Sequence, residues 1–356
     1  MNDRERFLGV MNYQQVDRCP FKANGGWPET IERWKKEGMD APDAPKFRWD
    51  HWHWVGHWFF PNPPFERKVI EDDGHTIVYI NHEGILMREL KEQPWSSMPQ
   101  FVRFPVETRA DFRKFMRERM QPDPAARIGP DWREQLPKLN GRDFPFIVIS
   151  DRWGGFFGPL RNLTGVENLC MLFYDDPALV EEMMDAIADF IIELMGHILD
   201  CTTVDCYGFW EDMGFRTGPL LGPEMVRKYM LPRYRRVVDF LRSRGVNLIA
   251  LDSDGQVDSL IPIWLDAGIN ILYPFEVQAG MDVLATRKKY GRQLRMWGGV
   301  DKKAVALGPA AIDAELARVA PLVREGGYIP DVDHSFPPDI SWANYCYYME
   351  NVQKIL

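Results

Sequence analysis

Val246-Asn247-Leu248-Ile249-Ala250-Leu251 is an apolar run that stops at Asp252-Ser253-Asp254-Gly255. A helical pattern over residues 256–267 follows, then a second apolar run, Ile269-Asn270-Ile271-Leu272-Tyr273-Pro274-Phe275-Glu276. Run, helix and run make the pattern of two parallel strands joined by a crossover helix. Neither run alternates cleanly between apolar and polar residues, as expected of strands whose outer face is covered by helices. The unit recurs on both sides. Upstream, residues 144–149 end in Ser150-Asp151, and residues 204–210 end in Glu211-Asp212. Between them Asp176-Pro177 opens a long amphipathic helix, and after them Gly222-Pro223 opens another, interrupted near Pro232. Downstream, residues 294–299 and 327–330 alternate with helices over 281–290 and 309–325, and a last helix runs from Ser341 to the terminus. Six such runs, with at least one earlier unit, predict a single α/β domain over residues 1–356: a (β/α)8 barrel of the TIM type.

The first 140 residues carry a weaker pattern. Arg18-Cys19-Pro20-Phe21-Lys22-Ala23 reads as the first strand. Residues 45–105 read as a β-rich insertion near the barrel mouth, with a hairpin turning at Asp72-Asp73-Gly74. Within it, Trp49-Asp50-His51-Trp52-His53-Trp54-Val55-Gly56-His57-Trp58-Phe59-Phe60 alternates indoles with imidazoles. That stretch suits a lid or a homodimer interface better than a metal site, since exposed tryptophans mark contact surfaces.

Composition narrows the function. The 356 residues carry a net charge of -9 and no basic block, which argues against a nucleic-acid or anionic-membrane partner. No run approaches the roughly 20 apolar residues of a membrane span, and the polar start, Met1 to Arg6, lacks the apolar stretch of a signal peptide. The five scattered cysteines suggest buried thiols in a reducing compartment, and a cytoplasmic protein is expected. Gly154-Gly155-Phe156-Phe157-Gly158 lacks the spacing and the Lys-Ser/Thr of a phosphate loop.

Most of the predicted strands end in ionisable groups: Asp151, Glu211 with Asp212, Asp252 with Asp254, Glu276, and Asp333 with His334. In a barrel the chemistry sits at those ends. Any one of these acids could cap the helix that follows it. Together in one mouth they call for a cation, a positively charged substrate or shared protons. Trp153, Trp210, Tyr273 and Trp297 also fall near strand ends, so an apolar, aromatic substrate pocket is expected there.

Asp252-Ser253-Asp254-Gly255, Trp297-Gly298-Gly299-Val300-Asp301-Lys302 and Gly326-Gly327-Tyr328-Ile329-Pro330, with Asp333-His334 and Pro337-Pro338-Asp339 beyond, resemble the uroporphyrinogen decarboxylase superfamily. So do Arg4-Glu5-Arg6-Phe7, Val16-Asp17-Arg18-Cys19-Pro20 and Gly218-Pro219-Leu220. The resemblance implies a TIM-type barrel but not one reaction, because the superfamily holds decarboxylases and corrinoid-linked methyltransferases. The decarboxylases carry an arginine-rich motif that holds a many-carboxylate substrate. The comparable stretch here, Phe21-Lys22-Ala23-Asn24-Gly25-Gly26-Trp27, has no arginine. The methyltransferases hold zinc through a His-x-Cys pair and a late Cys. Here those positions read Asp252-Ser253-Asp254 and His334, with Glu276 between them.

The resemblance therefore implies a methyltransferase or demethylase moving a methyl group between a small methylated or methoxylated compound and a corrinoid on a separate protein. Asp252, Asp254, Glu276 and His334 are the expected ligands of a divalent metal, zinc foremost, or else a polar clamp. Glu211 or Asp212 is expected to protonate the departing oxygen. The alternative is a decarboxylase or lyase acting on a small carboxylic acid.

Overall fold

The computed structural model describes residues 1–23, 25–92 and 99–356. Asn24, within the stretch compared above with the arginine motif, and residues 93–98 of the expected insertion lie outside the described residues. Seven strands form one sheet: β1 (His53–Val55), β2 (Phe146–Ile149), β3 (Cys206–Trp210), β4 (Leu248–Asp252), β5 (Ile271–Tyr273), β6 (Arg295–Trp297) and β7 (Tyr328–Ile329). Every pair is parallel, and the order across the sheet is the order along the chain. Parallel crossovers share one hand, so a sheet that always advances the same way curls into a half-barrel. β2 to β5 are buried at nearly every residue, which is why they read as unbroken apolar runs.

The expected helices cover this sheet. Asp176 caps Pro177–Leu199, and Pro309–Glu325 and Trp342–Val352 close the chain. The break near Pro232 is a π-helical segment, Val226–Met230, running into Leu231–Ser243. Among the described residues no helix is long and apolar enough to cross a membrane.

Two expectations in the first third are corrected. Residues 18–23 are not a strand of the sheet, although their backbone lies between its two edges. The Phe21 carbonyl accepts from Asp50 N–H (3.0 Å) just before β1, and Cys19 Sγ lies 3.5 Å from the Tyr328 carbonyl in β7. The described sheet thus has seven strands where eight were expected. The insertion also begins later than residue 45, because His53–Val55 is the outer strand of the main sheet, paired with residues 146–148. What projects from the sheet is a four-stranded antiparallel meander, Lys68–Asp72, Thr76–Ile80, Leu86–Leu90 and Gln100–Arg103. Trp52 and Trp58 are buried in the core, whereas Trp49 and Trp54 stay more than a third exposed. A three-residue strand is too short to announce itself by periodicity.

Candidate active site

Strand register sets the rim. Asp252, the last residue of β4, pairs with Trp210 at the end of β3 and with Tyr273 at the end of β5. Trp297, the last residue of β6, pairs with Ile329 of β7. The carboxyl ends of four strands therefore present Trp210, Asp252, Tyr273 and Trp297 at one level, and the acids follow in the loops above.

Asp151, Asp212, Asp252 and Asp254 are electrostatic neighbours. The Asp252 carboxylate makes no hydrogen bond among the described residues. Burial, reinforced by the charges of Asp254, Asp212 and Asp151, pushes it well above the usual carboxylate range. Asp254 is pushed up to about 6, by burial first, with Asp212 and Glu276 pushing the same way and His334 and Lys302 opposing. Its Oδ2 lies 3.7 Å from His334 Nε2, and both side chains are about a third exposed. Asp212 takes a left-handed backbone (φ 41°) and pairs with Arg161 at 2.7 Å. The sequence reading brought Asp252, Asp254, Glu276 and His334 to one mouth, and the structure places them there.

A cation already stands in that group. Lys302 Nζ lies 3.7 Å from Glu276 Oε1 and 3.7 Å from Asp333 Oδ1. Glu276 also accepts from Gly255 N–H (3.0 Å), and the fully buried Asp333 accepts from Val277 and Lys302 N–H. Among the described residues no three His, Cys, Asp or Glu side chains come together in a way that could hold a metal ion. With Glu276 turned to an ammonium and a backbone N–H, the expected donor set does not fit a divalent cation in this arrangement.

Glu211 sits elsewhere than its neighbour. It is fully buried, and its carboxylate accepts from the N–H groups of Phe156 (2.8 Å), Phe157 (2.6 Å) and Gly158 (3.0 Å) and from the Tyr234 hydroxyl (2.6 Å). It thus fills the N-terminus of the helix Phe157–Thr164. The glycines around the start of that helix have a steric reason. A Cβ on Gly155 would lie 2.1 Å from the Trp210 carbonyl, and one on Gly158 would lie 2.5 Å from the Trp210 ring. The glycine-rich stretch binds an anion after all, and the anion is the protein's own carboxylate. Burial pushes Glu211 up to about 7 against these four donors. With no face toward the mouth, it does not reach a substrate there.

Beside the acids lies a cavity of about 300 Å³, walled by Trp54, Tyr273 and Trp297 and edged by Lys22 and Asp331. Of the four aromatic residues expected to bind substrate, Tyr273 and Trp297 line it. Trp153 is only 1% exposed and packs against Phe115, so it belongs to the core. Trp210 lies beneath Arg152 and Arg161. Sequence reasoning missed Trp54, Lys22 and Lys302 as members of the site. Lys22 had a signal, since it stands where the arginine motif was sought. Lys302 had one too, as the last residue of the quoted 297–302 motif.

A family model described as uroporphyrinogen decarboxylase (URO-D) matches residues 157–355. The uroporphyrinogen decarboxylases of Pseudomonas aeruginosa and Pseudomonas paraeruginosa are each 22% identical over 192 residues, 52% of this chain and 50% of theirs. The match spans about half the length of these curated relatives. Among solved structures, a methyltransferase from Methanosarcina mazei superposes over 99% of both chains with a TM-score of 0.59 at 14% identity, a likeness of fold.

Proposed function

Because the chain belongs to the uroporphyrinogen decarboxylase family, we propose that it is a methyl-transferring enzyme of that family. It would take the methyl group of a small methylated or methoxylated compound to a corrinoid carried by a separate protein. On this reading residues 19–23 act as the eighth stave, closing the sheet into a TIM-type barrel. The observation that carries the reading is Asp252. It stands at a strand end beside Tyr273 of the aromatic cavity and among three other aspartates, and burial and their charges raise its proton affinity. A carboxyl whose proton affinity is raised in this way is suited to pass a proton to the oxygen left when the C–O bond breaks. Asp252, rather than Glu211 or Asp212, is therefore the proposed acid: Glu211 faces inward and Asp212 is held by Arg161. Tyr273 and Trp297 would hold the substrate body, and Lys302 would keep Glu276 and Asp333 in place. The corrinoid supplies the acceptor for the methyl group. The exposed rim at Trp27, Asp254 and His334 leaves its carrier a way in. No step here is routed through a divalent cation.

Methyl transfer from methoxylated compounds to an added reduced corrinoid, followed by its absorbance, tests the reading. Wild type is expected to transfer. Asp252→Asn, which keeps the shape and removes the proton, is expected to lose about a hundred- to ten-thousand-fold while melting like wild type. An undiminished Asp252→Asn would remove the proposed acid. A second reading, decarboxylation of a small carboxylic acid, is favoured by the Lys22 ammonium at the cavity edge. Carbon dioxide release without corrinoid would select it.

A further inference from the structure

Among the described residues Lys22 is the one cation lining the aromatic cavity, and the mechanism above does not use it. Its ammonium lies 4.9 Å from the Trp52 ring centre and 5.7 Å from that of Trp54, and it makes no ion pair among the described residues. Aromatic faces attract an ammonium but accept none of its three hydrogen bonds well. The carboxylate at the same edge, Asp331, is 1% exposed and accepts from Val332 N–H (2.8 Å). Burial pulls the Lys22 pKa down, with Asp331 alone opposing. An incoming anion would restore what burial takes away.

The opposite wall carries the other sign. Tyr273 pairs in strand register with Asp252, and the charges of Asp252, Asp151 and Asp254 all bear on its buried hydroxyl. That hydroxyl has no partner among the described residues. A ligand with one anionic end is thus driven to a single orientation, its charge toward Lys22 and its other end toward Tyr273 and Asp252. A volume near 300 Å³ is at the lower end for ligand sites and admits one ring-sized molecule. One ammonium without an ion pair among the described residues matches one carboxylate, not several.

We propose that this cavity binds a small aromatic monocarboxylate, its carboxylate on the Lys22 ammonium and its ring against the wall of Trp54, Tyr273 and Trp297. The assignment rests on the methyl-transfer reading only in naming the far substituent, a methoxy group directed at Asp252. The binding itself stands apart from that reaction.

Two probes of one shape separate the possibilities, para-methoxybenzoate and para-methoxybenzyl alcohol, titrated against the full chain with tryptophan fluorescence as the readout. Wild type is expected to bind the benzoate at least tenfold more tightly than the alcohol, the scale of one charge-assisted hydrogen bond. Lys22→Met is expected to bring the benzoate down to the alcohol's affinity and leave the alcohol unchanged. Lys22→Arg should retain the preference, which guards against a mere folding defect in the first variant. Equal affinities in wild type, a preference that survives in Lys22→Met, or no saturable benzoate binding at millimolar concentration would each overturn the assignment. Benzoate binding without methyl transfer to added corrinoid would keep it and retire the methyl-transfer reading. Transfer from both probes with equal affinity would do the reverse.

Discussion

Glu211 and Asp212 are adjacent in the chain and opposite in role. Asp212 faces the mouth, whereas Glu211 turns inward to the amides of Phe156, Phe157 and Gly158. Glu211→Gln would set an amide nitrogen against donors that need an acceptor, at a cost of about 1–3 kcal/mol. The pH dependence has a definite sign. The folded carboxyl titrates at about 7 and the unfolded one near 4.5, so the folded state binds the proton more tightly. The Tyr234 hydroxyl, which donates to the carboxylate, can turn and accept from the protonated form. The Glu211 contribution to stability is therefore present below about 4.5 and is lost as pH rises to about 7. Thermal melts at pH 5 and pH 8 should show wild type losing its advantage over Glu211→Gln at the higher pH. A constant gap between the two proteins would show that Glu211 does not titrate in that window.

At the level of elements, the contact between the helix Phe157–Thr164 and the end of β3 depends on the absence of two side chains. Gly158→Ala forces a methyl group onto the Trp210 ring, and the helix must move away from Glu211. A loss of about 1–3 kcal/mol is expected from such overpacking. Urea unfolding that places Gly158→Ala within experimental error of wild type would mean that the helix yields freely. The metal question belongs to the same scale. Lys302, the first residue of the helix Lys302–Leu307, brings its ammonium to Glu276 and Asp333. Mass spectrometry of protein purified without chelator should find substoichiometric metal in wild type and in His334→Ala alike. Stoichiometric zinc in wild type, lost in the variant, would mean that Lys302 swings out and the four expected ligands gather.

The whole molecule divides its charges between the two ends of the sheet. At the amino ends of β2 and β3, Asp205 accepts from Arg142 (2.6 Å), Arg4 (2.9 Å) and Phe146 N–H, and both the Arg142 and Asp205 side chains are almost fully buried. Arg4, Arg142 and Asp205 are thus paired with one another, which suits a joint that holds strands together. At the carboxyl ends the aspartates crowd one another, which raises their proton affinity and suits chemistry. Asp205→Ala should cost about 3–5 kcal/mol, because it strands a buried guanidinium, while the folded fraction keeps wild-type kinetics. Asp252→Asn should do the opposite. Parallel denaturation and kinetic measurements on the two variants would contradict this division if the effects were exchanged.

The sequence by itself determined the six later parallel strands, their order and the acids that follow most of them. An apolar run stopped by Asp or Gly is a local pattern, and each βαβ unit brings its own ends to the same side of the sheet. Only the tertiary structure decided which acids face the mouth. It also decided that Trp153 packs in the core and that His53–Val55 is a strand of the main sheet. The ammonium groups of Lys22 and Lys302 were placed in the same way, one at the cavity and one among the carboxylates. The physical reason is range. Burial, pairing and proton affinity depend on groups distant in the chain, such as Tyr234 on Glu211 and Lys302 on Glu276, and no local spacing encodes them.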